Sequence, residues 1–303
     1  MKSNRINKII SLITSEMESL FTQAGIGILI ANEDLDIQFI NQEALNIFEY
    51  KREEMNSINI FTLFHESVKI KLQNKLQLLK KLQNYSSSFE LIGLHKNCTS
   101  FPLEISITLN QDKIGTTFTI ILRDITSYRK KEDELKHQAY FDQLTGIPNR
   151  TLLFDRAENA LNQAIRAKEK LAVIFIDLDG FKDINDKYGH ETGDIFLKRI
   201  SQRFINSARK SDTVSRIGGD EFIILMPRII NTTDAANLAE RIIESNILPI
   251  NINNNLLFPM ASIGISVYPE DGASIEELLK KSDKAMYNAK RLGKNKYLFY
   301  KNC

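Results

Sequence analysis

Two acidic clusters in the chain stand where carboxylates commonly do chemistry. An apolar, β-rich run, Leu171–Ile176, ends in Asp177-Leu178-Asp179 and passes into Gly180-Phe181-Lys182. Strand ends are rigid and their exits open to solvent, so carboxylates there suit a hard cation such as Mg²⁺, which takes oxygen ligands and keeps waters or phosphate oxygens in its shell. The second cluster lies within Ser215–Leu225, two β-type runs joined at Gly218-Gly219-Asp220-Glu221. Paired glycines permit a positive φ in a tight hairpin and let a bulky ligand approach the backbone, and the acids that follow stand at the rim of the turn. Asp179 is the weaker metal candidate, because strand alternation keeps it on the side of Asp177 only while the strand stays regular. Taken alone, the Gly-Gly-Asp-Glu run reads as a polar hairpin turn, and Asn185 and Asp194 read as helix caps.

These residues need a scaffold. The 303 residues are long for one compact domain and comfortable for two, and 43% hydrophobic with 26% charged residues is ordinary for a globular chain. Residues 1–125 carry 13 Lys/Arg against 14 Asp/Glu, and the net charge is +2, so neither half is a basic arm suited to nucleic acid. Cys98 and Cys303 are too few and too isolated for a disulfide framework or a metal-binding Cys pair, which fits a reducing, cytoplasmic compartment. No stretch has the composition of a signal peptide or a bilayer-spanning helix, so no transmembrane segment is expected.

Ile6, Ile9, Ile10, Ile13, Met17, Leu20 and Phe21 have helical spacing and predict an amphipathic leading helix, assigned to residues 1–18. Gly27–Ala31 and Ile37–Asn41 read as a hairpin, followed by helical stretches at Gln42–Phe48, Arg52–Asn56 and about Glu66–Gln83. Three further strands are predicted at Ser87–Leu94, Phe101–Asn110 and Gly115–Arg123, which makes an α+β unit with a five-stranded antiparallel sheet. That order resembles a PAS domain, as do Ile40-Asn41-Gln42-Glu43-Ala44, Phe48–Glu54 and Ile121–Thr126. Glu49 departs from the family pattern, which often has glycine there. The resemblance implies a sensor over 19–127 whose ligand is not readable from the sequence: His65 reads as a cap or surface residue before a haem ligand, and Cys98 lies in no flavin-reactive motif. Residues 128–141 read as a polar linker helix, either solvated and single or paired in a dimer that relays a signal.

Over about Tyr140–Tyr300 the chain resembles the GGDEF family of diguanylate cyclases, which assigns a catalytic domain to 142–303. The resemblance rests on Asp142-Gln-Leu144-Thr145-Gly-Ile-Pro148-Asn149-Arg150, Phe175–His190 with Gly193-Asp194, Ser215–Leu225, Ala261–Ser266 and Ser282–Asn295. It implies a palm-like βαββαβ fold, and coarse periodicity agrees: helices at Thr151–Lys168, Glu191–Ala208, Thr233–Ser245 and Ser274–Arg291 alternate with strands.

The resemblance also implies roles. Asp177, Asp220 and the Leu178 carbonyl would hold one or two Mg²⁺ ions, with Mn²⁺ a substitute. Asn185 and Asp194 would read guanine, and Gly180, Phe181, Lys182, Lys290 and Lys294 would meet the triphosphate beside Gly218 and Gly219. Glu221 would deprotonate or orient the attacking 3′-hydroxyl. Lys290 and Lys294, four apart, fit one face of the last helix and its exit. Arg209, Asp212 and Arg241 match a feedback site for the product, cyclic di-GMP. Joining two GTP molecules twice requires two catalytic domains face to face, hence a homodimer. The rival readings are a silent receptor of GTP or cyclic di-GMP and a polymerase with the same palm chemistry. No phosphodiesterase-like segment follows before Cys303, so product breakdown is expected elsewhere.

Overall fold

The structure, a computed structural model, describes residues 16–55, 58–82, 86–111 and 115–302. Most of the expected leading helix lies outside the described residues; 16–23 are helical, with Met17 and Leu20 exposed. The chain divides into two compact units between Asp133 and Glu134.

The first unit is an antiparallel sheet of β1 (Gly27–Asn32), β2 (Ile37–Ile40), β3 (Ser86–Leu94), β4 (Ser100–Gln111) and β5 (Thr116–Asp124), ordered β2-β1-β5-β4-β3. Period-two alternation turns Leu103, Ile105 and Ile107 of β4 and Phe118, Ile120 and Leu122 of β5 inward. Helices Gln42–Phe48 and Glu66–Leu82 cover that face and complete the core. Asn41 shows why a polar residue belongs at a buried junction. Its Oδ1 accepts from Ala44 N at 2.9 Å, capping the helix, and from Ile28 N at 2.8 Å, while its Nδ2 donates to Ile26 O. The helix ends at Glu49 with φ 62°, the left-handed conformation that explains a family preference for glycine there. Asp124 closes the sheet and caps the next helix, Thr126–Tyr140, by accepting from Thr126 N at 2.7 Å. None of that helix's side chains is buried.

The second unit has one sheet ordered β12-β11-β6-β8-β7, from β6 (Lys170–Leu178), β7 (Thr213–Gly218), β8 (Glu221–Ile229), β11 (Ala261–Tyr268) and β12 (Lys296–Phe299). Leu171 and Val173 of β6 face a core with helices Arg150–Ala167 and Ile275–Arg291; Ala172, Ile174 and Ile176 face another with His190–Ser207 and Thr232–Asn246. A sheet covered on both faces explains why its central strands are almost continuously apolar. A small hairpin, β9 (Ile250–Ile252) with β10 (Asn255–Leu257), extends the expected βαββαβ core, and the expected final strand, β12, pairs parallel to β11 at the sheet edge. The crossover helix Ile275–Arg291 returns the chain in the same sense, so that last pairing is parallel.

Candidate active site

Register builds the site. Asp177 on β6 lies opposite Glu221 on β8 and opposite Ser262 on β11, so all three share one side of the sheet. Leu178 N donates to Asp220 O at 3.2 Å, which pins the turn residue Asp220 against the strand end. Gly219 takes the left-handed φ of 51° that the turn demands, whereas Gly218 is not in that region. Lys290 reaches down from helix Ile275–Arg291, and its Nζ lies 2.6 Å from Asp177 Oδ1. The helix lies that close because a Cβ at Gly264 of β11 would collide with the Ser282 carbonyl and the Met286 amide.

The electrostatics follow from crowding. Burial pushes the Asp177 carboxyl above its ordinary range, the Lys290 ammonium pulls it down, and the neighbouring Asp220 charge pushes it up again. Burial likewise raises Glu221, with Asp177, Asp220 and Asp283 adding to the effect. A cleft of about 430 Å³ opens beside Glu221, between Arg150, Phe154, Phe175 and Asp283. Among the described residues no three His, Cys, Asp or Glu side chains are spaced to enclose a metal ion. Asp177, Asp220 and the Leu178 carbonyl form a hard-oxygen set that fits Mg²⁺ or Mn²⁺ only if phosphate and water complete the shell.

Asn185 is no cap: it lies inside helix Phe181–Tyr188, whose N-cap is Gly180. Its Oδ1 is buried without a hydrogen-bond partner, packed where a Cβ at Gly193 would strike it. An orphaned buried acceptor is costly, and a ligand's N–H is the kind of group that removes the cost. Asp194 is exposed on the adjoining helix, and Lys182 is exposed in the first turn after Gly180. Lys294 does not share a helix face with Lys290, because the helix stops at Arg291. Gly293 (φ 113°), Lys294 (φ 60°) and Asn295 (φ 44°) form a separate turn. Asp179 lies beyond β6 and gives its carboxylate to Ser262 Oγ and Asn295 N.

The Arg209–Asp212 segment forms a second cluster. Arg209 N donates to Asp212 Oδ2 at 2.9 Å, its guanidinium lies 3.6 Å from Asp234, and Arg241 donates to Ser207 O at 3.0 Å. Burial raises the Asp212 carboxyl against the pull of Arg209 and Arg241, which places all three within electrostatic reach. Hollows beside Asp212 are also lined by Arg156 and Lys210, which no sequence motif marked.

Sequence reading also missed Arg216. Its Nη1 donates to both Asp142 oxygens at 2.9 and 3.1 Å, and its Nε and Nη2 donate to Gly219 O at 2.9 and 2.8 Å. Asp142 further accepts from the Thr145 hydroxyl and amide. Burial acts to raise Asp142, and these hydrogen bonds together outweigh it, holding the carboxyl below its usual range.

A sheet covered on both faces, whose strand end and neighbouring hairpin bring carboxylates together, defines a palm-like class of domain. The family model described as "Diguanylate cyclase, GGDEF domain" matches residues 139–296, and one described as "PAS domain" matches 25–127. The chain belongs to the GGDEF diguanylate cyclase family, with a PAS domain ahead of its GGDEF domain. Diguanylate cyclase TpbB of Pseudomonas aeruginosa is 40% identical over 184 residues, 59% of this chain and 42% of that protein. The bifunctional diguanylate cyclase/cyclic di-GMP phosphodiesterase MucR of the same species is 44% identical over 177 residues, 58% of this chain and 26% of that protein. The chain thus spans less than half the length of these two relatives. Diguanylate cyclase DgcM of Escherichia coli is 32% identical over 278 residues, 88% of this chain and 64% of that protein. The crystal structure of the TpbB GGDEF domain aligns with TM-score 0.51 and 40% identity, covering 51% of this chain and 97% of that one. Among the described residues no helix is long and apolar enough to cross a membrane.

Proposed function

We propose that the chain condenses two GTP molecules into cyclic di-GMP, releasing two pyrophosphates, in the cytoplasm of a bacterium. The observation that carries this reading is the convergence of Asp177 and Asp220 at the strand end, and the orphaned Asn185 acceptor on the helix that follows supports it. Residues 142–303 are the catalytic domain, 19–127 the PAS sensor and 128–141 the linker helix between them.

Asn185 and Asp194 accept from the N1–H and N2–H₂ of guanine, a donor pair that adenine lacks. Backbone amides at Gly180–Lys182, opening helix Phe181–Tyr188, meet the terminal phosphates. Lys182, Lys290 and Lys294 supply positive charge to the triphosphate. Asp177, Asp220 and the Leu178 carbonyl would hold Mg²⁺, which would supply charge neutralisation at the α-phosphate. Glu221, its proton affinity raised by burial, accepts or orients the proton of the attacking 3′-hydroxyl. Each attack forms one phosphodiester bond and expels one pyrophosphate. Because one domain binds one GTP, two chains must face each other, and the PAS unit regulates by changing how often they do so. Arg209, Asp212 and Arg241 bind the product and restrain turnover.

The purified chain with GTP and Mg²⁺ should release pyrophosphate and form cyclic di-GMP, and Asp220→Ala should lower the rate by about 10²-fold or more while leaving the fold intact. Guanine nucleotide binding without pyrophosphate release would leave the receptor reading instead.

A further inference from the structure

We propose that Asp179 is a positioning residue: it fixes the Lys294 turn at the mouth of the site and thereby sets the affinity for the terminal phosphates of a nucleoside triphosphate. This deepens the function proposed above and rests on it.

Asp179 is 8% exposed, and its carboxylate is held by a hydroxyl and a backbone amide. Both carboxylate oxygens accept from Ser262 Oγ, at 2.9 and 3.0 Å, and Oδ2 also accepts from Asn295 N at 3.1 Å. Its own N–H donates to Met260 O at 2.9 Å. One side chain thus ties together the exit of β6, the start of β11 and the turn after helix Ile275–Arg291. The single Ser262 hydroxyl proton, shared between both oxygens, and the Asn295 N–H orient the carboxylate toward β11 and the turn.

The turn needs such a hold. Lys294 and Asn295 both have positive φ, a conformation that side chains with a Cβ rarely adopt and that persists where the surroundings over-determine it. From inside, Lys294 N donates to Ala289 O at 3.2 Å; from outside, the Asn295 amide is held by Asp179. Asp179 stands two residues after Asp177, so the tether fixes Lys294 relative to the metal-binding strand end. The spacing between those two points is what a triphosphate must span.

Asp179→Asn tests this, because it replaces the charged acceptor shared by the Ser262 hydroxyl and the Asn295 N–H with a neutral amide that keeps one acceptor oxygen. In the full chain, KM for GTP should rise about tenfold with kcat changed less than about threefold, the loss expected for a charge-assisted hydrogen bond that acts through binding. The Kd of guanosine 5′-[α,β-methylene]triphosphate should rise in parallel, and the Asn295 amide should lose protection from hydrogen exchange. In a Lys294→Ala background the same substitution should shift KM by less than about twofold, since the residue it positions is gone. Ser262→Ala, which removes one tether and keeps Asp179, should give a smaller rise in KM, and it carries the test if Asp179→Asn does not fold. A collapse of kcat at unchanged KM, or an equal KM rise with and without Lys294, overturns the proposal. If the unmodified chain neither binds the analogue nor turns over GTP, the proposed function fails, while Asn295 exchange still reports on the tether.

Discussion

Asn185 and Glu49 each hold a position that a stability-driven sequence would not choose, and for different reasons. The Asn185 Oδ1 is buried and unpaired, so its removal relieves a desolvation cost and offsets part of the lost packing. Asn185→Ala should change the unfolding free energy of the second unit by less than about 0.5 kcal/mol while weakening GTP binding by at least about tenfold. Denaturant unfolding alongside calorimetric titration checks both halves, and a large loss of stability with intact binding would make Asn185 a core residue. Glu49 pays for its side chain in backbone conformation: φ is 62° at a helix end, and the carboxylate is only 3.5 Å from the exposed Asn97 amide. Glu49→Gly should stabilise the PAS unit by about 0.5–1 kcal/mol, read as a higher denaturant midpoint. An unchanged or lower midpoint would mean that the Asn97 contact outweighs the strain.

Elements explain both what was legible in the sequence and what was not. Strands and helices emerged from periodicity because each buries one face or is covered on both, and motif residues such as Asn41 and Asp124 proved to be the caps that start helices. The final strand was expected from the sequence, but its parallel direction and the β9–β10 hairpin were not legible: strand direction depends on the path of the crossover helix, and three-residue strands carry almost no periodic signal. The end of the last helix at Arg291 was legible, but the left-handed Lys294 and Asn295 that follow Gly293 were not, so Lys294 was wrongly put on the face of Lys290. The Arg216–Asp142 pair, 74 residues apart, was hidden for the same reason that it matters: it joins the start of the catalytic domain to the Gly219 carbonyl of the signature turn. Asp142→Asn should therefore loosen that turn and cost about 1–3 kcal/mol at neutral pH, with a fall in turnover that Lys or Ala at position 216 reproduces. The folded Asp142 pKa lies below the unfolded value of about 4, so its contribution is complete above that pH and disappears as pH falls through the folded pKa. Acid titration of unfolding below about pH 4 should accordingly flatten in the variant, and an identical acid profile would deny the pair its energetic role.

At the scale of the whole molecule, the chemistry outlined above exceeds one chain. The helix Thr126–Tyr140 has no buried side chain and exposes Tyr128, Leu135 and Tyr140, a pattern that only a partner or solvent completes. In the reaction proposed above, cyclisation needs two attacks, each at the α-phosphate of a GTP held by a different chain, so a pair with one dead site should form a single bond and stop at a linear dinucleotide. Mixing the unmodified chain with an equal amount of Asp220→Ala and allowing exchange should leave about one quarter of the pairs fully active, by random association into symmetric and mixed dimers. Cyclic di-GMP output per total chain should then fall with the square of the unmodified fraction, and linear product should accumulate as mixed pairs become common. Chromatographic separation of linear from cyclic product measures both quantities in one experiment. Output that falls only in proportion to the unmodified fraction, with no linear species, would mean that each chain completes both bonds alone, and the requirement for facing domains would be wrong.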